Sequence, residues 1–347
     1  SSSNKIIIFD IKNPFNPALV ATVNATTSDS ITSLPNHSSL LIISRWGRMS
    51  LIDISDISQP VLGANVSLGD MIPTSIIALP NHPNLLAMDN GDWVSLVDIS
   101  NISQPFVGAN VSVAGDVRSI VTLPNHPNLL AVGVADYSLV RGRISLVDIS
   151  NISQPVLVAN ISTTAGYVNS IITLANHANL LAIANEFEEI IRVVNISNTS
   201  QPFLLTTISI PGGASSITTV PNHPNLLAVA NSNIGVSLVN ISNILQPRFV
   251  INASIPGNAI SITTVPYLPN LLAVASVYYG LFLVDISDVY RPSFVAQVST
   301  IGEVYSITTL PENSNLLLLA CGYAGILLVD ISNISQPFLV SGIKIVG

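Results

Sequence analysis

Charge is what this 347-residue sequence has least of: Asp, Glu, Lys and Arg make up 9% of it, against about 25% in a typical soluble protein. Something other than charge must hydrate its surface. The 19 acidic and 11 basic residues leave a net charge of −8, and no cluster of Lys and Arg could neutralise a run of phosphates. Nucleic acid is therefore excluded as a partner. With a single cysteine, Cys321, no disulfide can form within the chain, and the redox compartment stays open. Its apolar strand-like setting predicts a buried, inert thiol. Long apolar runs are missing too. Although 48% of the residues are apolar, the runs are short and none approaches the roughly 18 residues of a membrane-spanning helix. The sequence opens on Ser1-Ser2-Ser3 with neither a charged nor an apolar leader, so a secretion signal is expected to have been removed or never to have existed.

What is present is repetition. The segment Ser-Ile-x-x-Leu/Val-Pro, or a close variant, recurs at Ser30, Ser75, Ser119, Ser170, Ser216, Ser261 and Ser306, at spacings of 45, 44, 51, 46, 45 and 45. A turn such as Asn81-His82-Pro83-Asn84 follows each copy, then an apolar run such as Leu226-Leu227-Ala228-Val229-Ala230. These are strands a and b. A strand such as Val94-Ser95-Leu96-Val97-Asp98, a turn Asn-Ile-Ser-Gln-Pro, and a strand such as Phe106-Val107-Gly108-Ala109-Asn110 supply c and d. Short strands rich in Val, Ile and Leu, punctuated by Pro, Gly and Asn, indicate an all-β fold. Four strands per period of 40 to 50 residues indicate the antiparallel blades of a β-propeller. Strands b and c are apolar on both faces, as expected for blades sandwiched between neighbours.

The recurring Leu-Val-Asp-Ile-Ser-Asn-Ile-Ser-Gln-Pro of 96–105, 146–155 and 328–337 resembles the LVIVD-repeat family of β-propellers. The resemblance extends over essentially the whole chain. Asn195 and Asn240 depart from the motif's Asp, and Lys12-Asn13-Pro14 departs from it in the first copy. It implies a propeller fold and a secreted or cell-surface setting, and it implies no particular chemistry.

The repeated Asp10, Asp53, Asp98, Asp148, Asp285 and Asp330 each end a strand c. A carboxylate there is expected to accept the backbone N–H two residues on and close the turn. The five histidines, His37, His82, His126, His177 and His223, share one a–b turn position. Equivalent turns on neighbouring blades lie about 10 Å or more apart, too far to share a metal ion needing ligands at about 2 Å, so turn chemistry is the expected role. Pro211-Gly212-Gly213 lacks the Lys and spacing of a phosphate loop. No nucleophile has an assigned base. The expectation is a protein that is not an enzyme, with no catalytic residues, cofactor or metal.

Divergence and charge gather in the b–c turns, around Arg45, Trp46, Arg48, Asp89, Asp92, Trp93, Asp136, Tyr137, Arg141, Arg143, Glu186, Phe187, Glu188, Glu189, Arg192, Tyr278, Tyr279 and Tyr323. In a propeller these turns share one face, the natural place to bind a carbohydrate or a protein. The bland alternative is that aromatics staple hairpin ends and charges hydrate loops.

N-glycosylation sequons stand at Asn24, Asn36, Asn65, Asn101, Asn110, Asn151, Asn160, Asn195, Asn198, Asn240, Asn252 and Asn333. All but Asn36 fall on strand c, the c–d turn or strand d, at the outer wall, where bulky sugars fit. Such a coat would supply the missing hydration, so an extracellular or cell-surface glycoprotein with N-linked glycans is expected.

The strand count leaves a remainder. Residues 1–29 carry a c–d pair, Lys5–Asp10 and Ala18–Val23, ahead of seven full repeats in 30–347, the whole forming one domain. The surplus pair could form a partial eighth blade, cover its own ring, or complete the last blade of a neighbouring copy. Repeated head to tail, the third arrangement gives a filament. The leading expectation is a self-associating structural protein, as homopolymer or homo-oligomer, the alternative a binding propeller using the b–c face, and the third and least favoured a propeller enzyme with its site at the central channel.

Overall fold

A computed structural model describes residues 5–10, 18–24, 30–34, 37–45, 48–53, 61–68, 73, 75–163, 166–185, 187–310, 313–321 and 326–343. The fold is all-β: seven four-stranded antiparallel sheets and one two-stranded sheet. Blades 1 to 7 span 30–67, 76–112, 116–162, 168–209, 214–253, 259–298 and 306–343, each in the order a-b-c-d. The two-stranded sheet joins β1 (Lys5–Asp10) to β2 (Ala18–Asn24) in antiparallel register. It is the surplus pair, and all seven blades are complete without it.

The continuous apolar run of strand b is explained by packing on two sides. In blade 5, Leu226, Ala228 and Ala230 join a core with Leu272, Val274 and Phe282 of blade 6. The alternate residues Leu227 and Val229 join a core with Leu180, Ala182 and Val193 of blade 4. Six such cores lie between successive blades from 1 to 7. On blade 7, Leu317 and Leu319 pack towards blade 6, and Leu316 and Leu328 on the opposite face are buried as well. Burying a side chain of this size is worth about 1.5–3 kcal/mol, so each blade is held by its neighbours rather than by its own two faces.

Polar groups of the repeat stitch the blades and turns. The backbone N–H of Ile120 donates to Ser75 Oγ at 3.0 Å, and that of Ile171 to Ser119 Oγ at 3.3 Å. From blade 2 to blade 3 and from blade 3 to blade 4, the serine of the repeated motif thus ties strand a to the next strand a. At the other end of strand c, Asp98, Asp148, Asn195, Asn240, Asp285 and Asp330 each accept the backbone N–H two residues on, at 2.7–2.8 Å. The expected turn closure therefore holds at Asp98, Asp148, Asp285 and Asp330, and asparagine performs it as well as aspartate; the turns after Asp10 and Asp53 lie outside the described residues.

The histidines do something further. They open strand b rather than sit in the turn. His126 Nε2 lies 3.2 Å from Oδ1 of Asn179 in blade 4, and His223 Nε2 lies 3.2 Å from Oδ1 of Asn270 in blade 6. His126 and His223 thus link adjacent blades, a role beyond the turn chemistry expected of them.

Candidate functional site

Antiparallel order places all b–c and d–a turns at one end of the blades and all a–b and c–d turns at the other. At the b–c end, blade 3 stands apart. Its strands b and c, His126–Asp136 and Arg141–Asp148, run to 11 and 8 residues, against 9 and 6 in blades 5 and 6. The extra residues raise the hairpin tip 137–140 beyond its neighbours.

Asp136 braces this tip. Its Oδ1 accepts the Ser138 hydroxyl at 2.6 Å and the N–H groups of Ser138 and Leu139 at 3.1 and 3.3 Å. Arg143 Nη2 donates to its Oδ2 at 2.9 Å. The Ser138 hydroxyl, above all, holds the Asp136 carboxyl below the usual carboxylate range, with the Leu139 and Ser138 amides and Arg143 adding to it against a smaller opposing effect of burial. Val140 completes the tip at a φ of 50°, a left-handed conformation that β-branched residues rarely adopt.

An aromatic ladder runs from this tip to blade 4. The Tyr137 and Tyr167 rings meet edge to face at 4.8 Å, and Tyr167 meets Phe187 in the same way at 5.3 Å. Tyr137 donates its hydroxyl proton to Asp116 Oδ2 at 3.2 Å, and the Arg118 guanidinium lies 5.4 Å from the Tyr137 ring centre. Arg118 Nε is 3.6 Å from Asp116. In blade 4, buried Arg192 pairs with Glu188. Close approach of the two blades depends on Gly142, where a Cβ would meet the Gly166 carbonyl oxygen at 2.8 Å and the Val168 nitrogen at 2.9 Å.

Of the residues singled out in the b–c turns, the structure brings together Asp136, Tyr137, Arg143, Phe187, Glu188 and Arg192, with Arg141 beside them. Arg141 is exposed and makes no ion pair among the described residues. Asp92 and Trp93 are exposed in blade 2, Glu189 in blade 4, and Tyr278 and Tyr279 in blade 6. Asp89 is buried and accepts the Ser75 N–H at 2.7 Å, a structural role. Arg45 and Arg48 lie at strand ends of blade 1, while Trp46, Glu186 and Tyr323 lie outside the described residues. Asp116, Arg118 and Tyr167, together with Glu303 and Tyr305 of blade 7, are the residues sequence reasoning missed. Tyr305 donates its hydroxyl to Glu303, which raises the phenol's pKa. All five stand three or one positions ahead of the motif serine, where blades 5 and 6 carry Gly213, Ser215, Asn258 and Ile260. Divergence at those two positions is the signal that would have found them.

Sequon asparagines divide by setting. Asn101, Asn151, Asn198 and Asn333 are exposed in c–d turns, each Oδ1 accepting the N–H two residues on at 3.0–3.2 Å. Asn65, Asn110 and Asn160 are exposed on strand d, and Asn195 and Asn240 are half-buried at the end of strand c. Asn252 is half-buried and spends its Nδ2 on the Ile234 carbonyl at 2.9 Å. The Asn24 side chain and Asn36 lie outside the described residues. Cys321 is buried, and burial pushes its thiol up to about 12. Among the described residues no helix is long and apolar enough to cross a membrane, and no three His, Cys, Asp or Glu side chains gather as a metal site.

Three segments, 41–67, 136–163 and 318–344, match the family model described as LVIVD repeat. No curated protein matches the chain. Among solved structures it superposes on Chaetomium thermophilum Sqt1 bound to the N-terminus of the ribosomal protein L10, at a TM-score of 0.72 and 14% identity, covering 92% of this chain and 87% of that one. It superposes equally on a putative 6-phosphogluconolactonase from Bacteroides fragilis (TM-score 0.71, 11% identity, 89% and 96% covered). The third is a periplasmic gluconolactonase from Pseudomonas aeruginosa (0.68, 14%, 87% and 94%). At such identity the likeness shows the fold alone. It nonetheless corrects the expectation that the chain is not an enzyme: propellers of this shape carry lactonase names, so a turn face without an obvious triad is no ground for excluding catalysis.

Proposed function

We propose that this β-propeller, which carries LVIVD repeats, is an extracellular glycoprotein whose copies link through the surplus N-terminal strand pair. The carrying observation is the sheet order: β1 pairs with β2 and with no other described strand, while all seven blades are complete. In each blade, strand c is hydrogen-bonded on both edges. β1 has the sequence of a strand c, and its second edge pairs with no described strand. Native proteins avoid leaving such an edge open, and a strand from a second chain can satisfy it. Head-to-tail repetition of that contact builds a filament. The exposed sequons of the c–d turns and strand d suit a sugar coat that makes up for the low charge.

Light scattering on the full chain and on a chain beginning at Ser30, which retains all seven blades, tests the link. The full chain is expected to give concentration-dependent species larger than one copy, and the shortened chain markedly weaker association. Equal association of both would refute it. The glycan half of the proposal is checked by peptide mapping, which should find sugar on exposed sites such as Asn110 and Asn151 in native material.

A second reading, recognition of a carbohydrate or protein at the b–c end, is favoured by the Tyr137–Tyr167–Phe187 ladder. Its test is loss of a bound saccharide or protein on Tyr137→Ala.

A further inference from the structure

The hairpin tip of blade 3 is more apolar than a loop needs to be. Tyr137, Leu139 and Val140 are 49%, 59% and 52% exposed, and Phe187 beside them is 61% exposed. The charges around this patch are mostly consumed: Arg118 faces Asp116, Arg143 holds Asp136 and Arg192 holds Glu188. Arg141 alone of these arginines is left over. An apolar centre ringed by polar groups, projecting on a long hairpin, has the make-up of an interface core.

The opposite end of the blades carries the complementary features. Strand d begins there, as its register with the end of strand c shows: Phe106 stands opposite Asp98, Val156 opposite Asp148 and Phe203 opposite Asn195. Those three and Val61 are 49–62% exposed, and Leu245 and Tyr290 in the c–d turns are 64% and 68% exposed. Asp98, Asp148, Asp285 and Asp288 lie at this end too, against Arg248 and Arg291. One end thus offers a projecting apolar tip with an unpaired guanidinium. The other offers an apolar belt interspersed with carboxylates.

We infer that the blade 3 tip of one copy docks on the c–d end of a second copy, with Arg141 reaching its carboxylates. The contact joins two different surfaces, so it is heterologous and propagates rather than closing into a pair. This inference rests on the proposal of self-association and adds to it a second contact independent of β1 and β2.

The test uses the full chain with Leu139→Asp, and separately Arg141→Glu, followed by sedimentation velocity over a range of concentrations and salt. Both side chains are exposed, so unaltered circular dichroism and melting are expected. Leu139→Asp should weaken association at least tenfold, and Arg141→Glu should weaken it most at low salt, where charge attraction is least screened. Association of both variants at wild-type strength overturns the inference and leaves the strand link standing. If the chain beginning at Ser30 associates like the full chain while Leu139→Asp does not, the strand link fails and the tip contact stands. A wild-type chain that remains a single copy at every concentration overturns both. A saccharide whose binding is lost in Leu139→Asp while association is unchanged reassigns the tip and also overturns it.

Discussion

Tyr267 shows what a single residue costs when it departs from its repeat. It follows Pro266 in the a–b turn, where five other blades carry Asn, and holds a φ of 63° with 82% of its surface exposed. A bulky residue in that region is disfavoured by roughly 1–2 kcal/mol, and the exposed ring returns little packing. Tyr267→Asn should therefore stabilise the chain by about 1 kcal/mol, read as a higher denaturant midpoint at unchanged slope. Cys321 presents the reverse case, a residue hidden by its surroundings. Burial holds its thiol pKa at about 12, so thiolate is scarce at neutral pH. Labelling by a thiol reagent should be negligible in the native protein and rapid in denaturant; fast native labelling would contradict the packing of blade 7 against blade 6.

At the scale of strands and turns, much was legible in the sequence for one physical reason. A blade buried on both faces has no polar stripe, so Leu226–Ala230 and its counterparts read as unbroken apolar runs, and the serine of the repeated motif set their phase. The turn closure by Asp98 and its equivalents was legible because an Asx turn is local. Contacts between blades were not. Nothing in the spacing of His126 shows that it meets Asn179 some fifty residues on, because that meeting depends on how neighbouring sheets stack. The ladder at the b–c end was half visible: Tyr137 and Phe187 stood out in their turns, whereas Tyr167, Asp116 and Arg118 belong to the start of strand a and pack in from the side. Gly142 escaped notice for the same reason, its role being the approach of blade 4. Gly142→Ala should force the Gly166–Val168 segment away, costing about 1–3 kcal/mol and separating Tyr137 from Tyr167. A thermal melt and the near-ultraviolet dichroism of the tyrosines would register both effects, and a variant matching wild type in both would show that the approach is looser than 2.8 Å implies.

For the whole molecule, the account turns on a remainder. Seven complete blades bury their own faces and bond their own strand c edges, leaving β1 and β2 as a pair that joins no blade's sheet, with β2 beside strand d of blade 1. Few charges, a row of exposed sequons and two opposed apolar ends all concern the outer surface, where one copy meets water, sugar or another copy. Electron microscopy of the native, full-length protein tests this most directly. The account predicts propeller discs joined in files, with density for a strand pair crossing from each disc to the next. Single, separate discs at all concentrations would contradict it.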